Sequence, residues 1–208
     1  MITGSSLSGF RHGEAIVEID RLFKWAQNNK TGTVIFIDEV DSLLSNRTQM
    51  SSQSEEYKIV NHILNYTGER SNRFMLVMTT NHKDGLDSAI FDRIDDYFEM
   101  KLPDTDQRQE VLSLYIGEIL FSTEHNGQPF VKHAKQLLTS QRIAQLARET
   151  AGLSNRNLQG IVNKMLTNAD ATDDGLLTED IIQDAVREEI TKKNVVASHQ
   201  KGLAARHA

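Results

Sequence analysis

Cysteine is absent from all 208 residues, which excludes disulfides and thiolate metal sites and fits a reducing compartment. No apolar run approaches the ~20 residues of a membrane span, and no charged, apolar, small-residue series of the signal-peptide kind opens the chain. Basic residues do not dominate either. The 23 Lys and Arg face 29 Asp and Glu, a net charge of −6, so no basic stripe exists for sequence-independent binding to nucleic acid. The seven histidines are scattered without the paired spacing of metal ligands. No internal repeat is visible, and no biased run is longer than the polar tract from Ser45 to Ser54. What remains is ordinary for a soluble core: 38% hydrophobic residues, enough for one large or two small domains.

The informative stretch is Thr33-Val34-Ile35-Phe36-Ile37-Asp38-Glu39-Val40-Asp41. Its uncharged, β-branched and aromatic run reads as a strand buried on both faces, hence part of a parallel sheet. Ligands of open α/β sheets sit beyond the carboxyl ends of the strands, which is where Asp38 and Glu39 fall. Asp38 would hold Mg²⁺, directly or through water, and Glu39 would polarise a water attacking a γ-phosphate. The plainer reading is a strand followed by a helix cap at Asp41 or Ser42.

The rest of the chain repeats this alternation. Residues 1 to 4 read as a short strand, with more sequence expected upstream. A Gly- and Ser-rich loop from Gly4 to Gly13 follows, but neither this loop nor any other segment contains Gly-x-x-x-x-Gly-Lys-Ser/Thr. A helix is expected over Glu14 to Asn28, another after Ser54 with Ile59, Val60, Ile63 and Leu64 inward, then a strand from Phe74 to Thr80 ending on Asn81. As a turn residue Asn81 would need no further role. A fourth strand is expected from Tyr97 to Leu102. At Pro103 the pattern changes to helices only, which sets the expected domains at 1–102 and 103–192, with 193–208 a disordered tail. Asp104, Ser154 and Thr178 are candidate helix starts.

Taken together, Ile35 to Asp41, then Thr80-Asn81, Leu86-Asp87-Ser88-Ala89-Ile90, Arg93-Ile94-Asp95 and Gly152-Leu153-Ser154-Asn155-Arg156-Asn157-Leu158 resemble the AAA ATPase family: its Walker B element, second region of homology and sensor-2 helix. Within the family, Leu22-Phe23-Lys24-Trp25-Ala26, Ser71 to Val77 and Asp174 to Glu179 look like the mitochondrial group called ATPase family AAA domain-containing protein 3. The resemblance implies a fold class of α/β, a partial P-loop NTPase core with strand order 5-1-4-3-2 that lacks strand 1 and the Walker A loop, followed by an all-α lid. It implies ATP and Mg²⁺ as substrate and cofactor. Asp38 becomes the metal ligand, Glu39 the catalytic glutamate and Asn81 the water-orienting sensor 1. Arg93 becomes the finger reaching a neighbouring subunit and Arg156 the sensor-2 arginine on the phosphates. It further implies a homo-oligomeric ring, a hexamer, mitochondrial and associated with the inner membrane or nucleoid, with membrane attachment only through upstream regions.

Several points depart from the family pattern or keep a plainer alternative. A single arginine occupies the finger region where many members carry two, and Arg93 could instead pair with Asp92, Asp95 or Asp96. Arg156 could be a solvated first-turn residue, although a helix dipole does not favour a cation there. Phe10 lies near where members place a pore-loop aromatic. Without Walker A the 208 residues are expected neither to turn over ATP nor to fold cooperatively alone. The competing readings are a P-loop-less interaction module without catalysis and a DNA clamp-loader relative, the latter disfavoured by the charge balance.

Overall fold

A computed structural model describes residues 2–3, 13–42, 54–82, 86–124 and 126–204. The chain divides into two compact units, Met1–Phe98 and Glu99–Ala208. Residues 4–12 of the first loop, Phe10 among them, and most of the polar tract after Leu44 lie outside the described residues.

In the first unit three parallel strands lie in the order β1-β2-β3: β1 (Ile2–Thr3), β2 (Thr33–Asp38) and β3 (Phe74–Met78). Between β1 and β2 runs helix α1 (Glu14–Asn28), and between β2 and β3 helix α2 (Glu55–Tyr66), the crossover that parallel pairing demands. Strand order is the run 2-3-4 of the expected sheet. Alternation along β2 sends Ile35 and Ile37 into a core with Ile19, Phe23 and Ala26 of α1 and Val60 and Ile63 of α2. Phe23 is fully buried, stacked on Tyr66 at 4.6 Å and edge-on to Phe74 at 5.4 Å. Such ring pairs add about 0.5–1.5 kcal/mol each beyond area burial.

Two expectations fail here. The strands are not buried on both faces: Val34 and its register partner Met75 are 66% and 63% exposed. Nor do Tyr97 to Leu102 form a strand; they have no regular secondary structure, with Phe98 84% and Met100 94% exposed. A strand exists only where a neighbour completes its hydrogen bonds, and among the described residues no strand lies beside 97–102.

The second unit is helical: α4 (Thr105–Tyr115), α5 (Gln128–Leu137), α6 (Ser140–Glu149), α7 (Asn155–Asp170) and α8 (Glu179–Ala204), preceded in the first unit by the short α3 (Ser88–Phe91). Asp104 caps α4 in a reciprocal box with Gln107, and Thr139 and Ser154 cap α6 and α7. Beyond α4 the helix widens over Ile116–Leu120, where the N–H of Phe121 donates to Ile116 at 3.0 Å. One core joins Leu112, Ile116 and Leu120 to Leu146, Leu158, Ile161, Met165 and Ile182. Arg108 is buried, and among the described residues no carboxylate pairs with it. It donates to the carbonyls of Ala147 and Pro103, both at 2.8 Å, and to the Thr105 hydroxyl at 3.0 Å, tying the Pro103 bend to the end of α6. Helix α8 continues to Ala204 rather than ending near Lys192. No proline follows Lys192, and the first glycine is Gly202, so nothing in the local sequence stops propagation.

Between α1 and α2 the Asp20 carboxylate accepts from the Tyr66 hydroxyl at 2.5 Å and pairs with Lys24 at 2.7 Å, with His62 at 3.4 Å. Lys24 first and Tyr66 second hold the Asp20 carboxyl down at about 2, against 3.8 unperturbed. Because the folded value is the lower one, this contribution to stability is present above pH 3.8 and lost as pH falls toward 2. The expected outcome is that Asp20→Asn lowers the unfolding midpoint at pH 6 and that the gap to the wild type closes on acidification through this window. A gap independent of pH would contradict it.

Candidate functional site

The parallel register pairs Ile37 with Met78, so β2 and β3 end side by side. Their pairing continues one residue further, since Thr79 N–H donates to Ile37 at 3.1 Å and Val40 N–H to Thr79 at 2.9 Å. At this edge Asp38 Oδ1 accepts from the Thr79 hydroxyl and from the N–H of Glu39 at 3.1 Å. One step on, the Thr80 hydroxyl donates to Asp41 at 2.9 Å, and His82 N–H to Thr80 at 2.9 Å. Two carboxylates of one strand end are thus held by two hydroxyls of the next. Asp41, which could have been only a cap, is tied to β3's end.

Glu39 has φ 53, the one described non-glycine residue in the left-handed region. The turn lets the chain pass from β2 into the single 3-10 turn Val40–Ser42, burying Val40 and leaving Glu39 exposed. An L-residue there costs about 1–2 kcal/mol, and such strain collects at functional sites.

Asn81 stands exposed two residues past Thr79, on the same edge as Asp38. Arg93 belongs to the same unit but to a different element. Asp87 caps α3 through Ala89 N–H at 3.0 Å and Ile90 is buried, which anchors the segment. Arg93 follows, exposed, its guanidinium donating to the Ala89 carbonyl at 2.7 Å. Among the described residues it forms no ion pair with Asp92, Asp95 or Asp96; Asp95 takes Arg70 instead, at 2.6 Å. Arg156 lies in the second unit, exposed, at the second position of α7 behind the Ser154 cap. A cation is disfavoured at that end of a helix, so stability does not account for it.

Asp38, Glu39 and Asn81 therefore share one strand-end edge. Arg93 belongs to the same unit and follows the short helix α3, and Arg156 belongs to the other unit. Sequence reasoning assigns Thr79 and Thr80 no role. The signal is nonetheless present: two hydroxyls directly before Asn81, at the depth in a parallel pair where the neighbouring strand presents carboxylates. Among the described residues no three His, Asp or Glu side chains gather as a metal cage. The oxygen set at Asp38 suits Mg²⁺, which takes one or two carboxylates and fills its remaining positions with water and phosphate oxygens.

Residues 1–102 match the profile of the ATPase family associated with various cellular activities (AAA). The chain is 31% identical over 191 residues to ATPase family AAA domain-containing protein 3-A of Xenopus laevis, covering 92% of this chain and 31% of that protein. It is 30% identical over 179 residues to the 3A protein of Homo sapiens, covering 84% and 30%. With the 3A homolog of Drosophila melanogaster it shares 28% over 176 residues, covering 82% and 28%. The chain spans about a third of the length of these relatives.

The strained backbone gives a prediction. Glu39→Gly should relieve the left-handed strain at some cost in chain entropy, for a net gain of about 0.5–1 kcal/mol in unfolding free energy by denaturant titration. A less stable glycine variant would show that the turn is not strained.

Proposed function

The chain belongs to the AAA family, and from that premise we propose that it carries the hydrolytic side of an ATPase site in a ring-forming protein. The observation that supports this most is the Glu39 turn. A carboxylate carried by a left-handed residue directly after Asp38, at the ends of parallel strands, supports the reading of Glu39 as a water-activating base. In this reading Glu39 draws a proton from the water that attacks the γ-phosphate. Asn81 orients that water from the adjoining strand end. Asp38, aligned by Thr79, would hold Mg²⁺, which when bound offsets charge on the β- and γ-phosphate oxygens. Arg156 contacts the phosphates from the helical unit, here proposed as the lid.

The 208 residues contain no Gly-x-x-x-x-Gly-Lys-Ser/Thr, so the phosphate cradle is assigned to residues outside them. Hydrolysis is then a property of the longer protein. Arg93 is exposed and engages only a carbonyl of the preceding helix among the bonds described, which suits a finger offered to the nucleotide of a neighbouring subunit. That role requires a closed ring, proposed as a hexamer. Placement in mitochondria, at the inner membrane or nucleoid, is proposed from the resemblance to the protein 3 group. No described helix is long and apolar enough to cross a membrane.

In the full-length protein, Glu39→Gln should retain ATP binding and lose turnover by about a hundredfold or more. Equal loss of both would make Glu39 structural. Mixing Arg93→Ala subunits with Glu39→Gln subunits should restore turnover, because some interfaces would join an intact Glu39 to an intact Arg93. Mixtures as inactive as their components would remove Arg93 from the neighbour's site. A wild-type protein without any turnover would leave the non-catalytic interaction module as the better reading.

A further inference from the structure

The start of α7, which carries Arg156, is held from α8 by two side chains one helical turn apart. Glu189, 2% exposed, accepts from the side-chain amide of Asn157 at 2.8 Å. Lys193 donates to the Gly152 carbonyl at 2.6 Å. Gly152 has φ 75, a left-handed conformation that favours glycine, and a Cβ there would stand 2.8 Å from the Lys193 nitrogen, the free end of a flexible side chain.

Asn157 joins the two helices by using both ends of its amide. Its oxygen accepts from the Ser154 backbone at 3.1 Å and the Ser154 hydroxyl at 2.7 Å, closing the cap. Its nitrogen is thereby turned toward Glu189. The glutamate usual at this position of a capping box would close the cap as well, but would set two carboxylates against each other. Lys164 at 3.5 Å and Lys192 at 3.7 Å balance the buried charge. Burial pushes the Glu189 carboxyl up, yet the Asn157 bond and the two lysines outweigh it and hold it below the usual range. It is an anion at neutral pH.

A buried ion pair is no better for stability than a well-packed apolar side chain, so Glu189 is not accounted for by folding energy alone. Its bond fixes the rotation of the first turn of α7, and Arg156 is the charged side chain that this turn exposes. We infer that Glu189, acting through Asn157, is a positioning residue for Arg156, setting the point from which the guanidinium reaches phosphate. The inference rests on the assignment of Arg156 to the phosphates.

Steady-state ATP hydrolysis by the full-length protein tests it. Glu189→Ala and Asn157→Asp both break the bond, the second while keeping a cap oxygen. Each should raise KM for ATP about three- to tenfold, as expected for loss of one coupled polar contact. Glu189→Gln keeps an acceptor for Asn157 and should stay within about twofold of the wild type. In an Arg156→Ala background neither breaking variant should raise KM further, which a merely structural role would not produce. Unchanged KM in both breaking variants, alongside a raised KM in Arg156→Ala, overturns the positioning role and leaves the Arg156 assignment standing. Effects that multiply in the double variants overturn it as well. An Arg156→Ala protein with wild-type KM removes the phosphate assignment itself, and the inference falls with it. Should Glu189→Ala fail to fold, Asn157→Asp decides.

Discussion

The pairing of β2 with β3 is the constraint on which the first unit depends. Five register pairs from Thr33 with Phe74 to Ile37 with Met78 put both strands on a common depth, and parallel direction puts both carboxyl ends on one edge. From that follow the contact of Thr79 with Asp38, the contact of Thr80 with Asp41, and the position of Asn81. A shift of one residue would send Ile35 and Ile37 out of the core and Val34 into it. The hydrophobic alternation that fixes the register is therefore also what aligns the polar groups beyond it.

Both units use satisfied polar groups where the core alone would leave the geometry loose. In the first, Asp20 gathers Tyr66 and Lys24 between two helices that otherwise meet through Phe23 and its aromatic neighbours. In the second, Arg108 holds the Pro103 bend through carbonyls, and Glu189 holds the cap of α7 through one amide. Leaving any of these groups without its partner would cost about 1–3 kcal/mol, more for the charged ones. Each thereby penalises alternative placements of a chain segment more than it raises overall stability.

The extent to which local sequence can be read varies with how local the cause is. Helix α1 is expected over Glu14 to Asn28 and is found there, because spacing of Ile16, Ile19, Phe23 and Ala26 and the flanking Asn-Asn-Lys-Thr-Gly need nothing from elsewhere. The caps at Asp104 and Ser154 are legible for the same reason. Tyr97 to Leu102 has strand-like residues but no strand, since pairing is a property of two segments. Glu189 is invisible from sequence: within α8 a glutamate at that position reads as solvated, and only the packing of α7 against α8 buries it.

By itself the sequence determined the residue types at the strand ends, the helix starts and the family signature, all of which depend on short-range order and composition. Tertiary structure alone decided that Glu39 adopts a left-handed turn, that Thr79 aligns Asp38 from 41 positions away, and that Glu189 reaches Asn157 from 32 positions away. Side-chain chemistry is written in the chain, whereas the partner of each buried or strained group is chosen by which segments pack together.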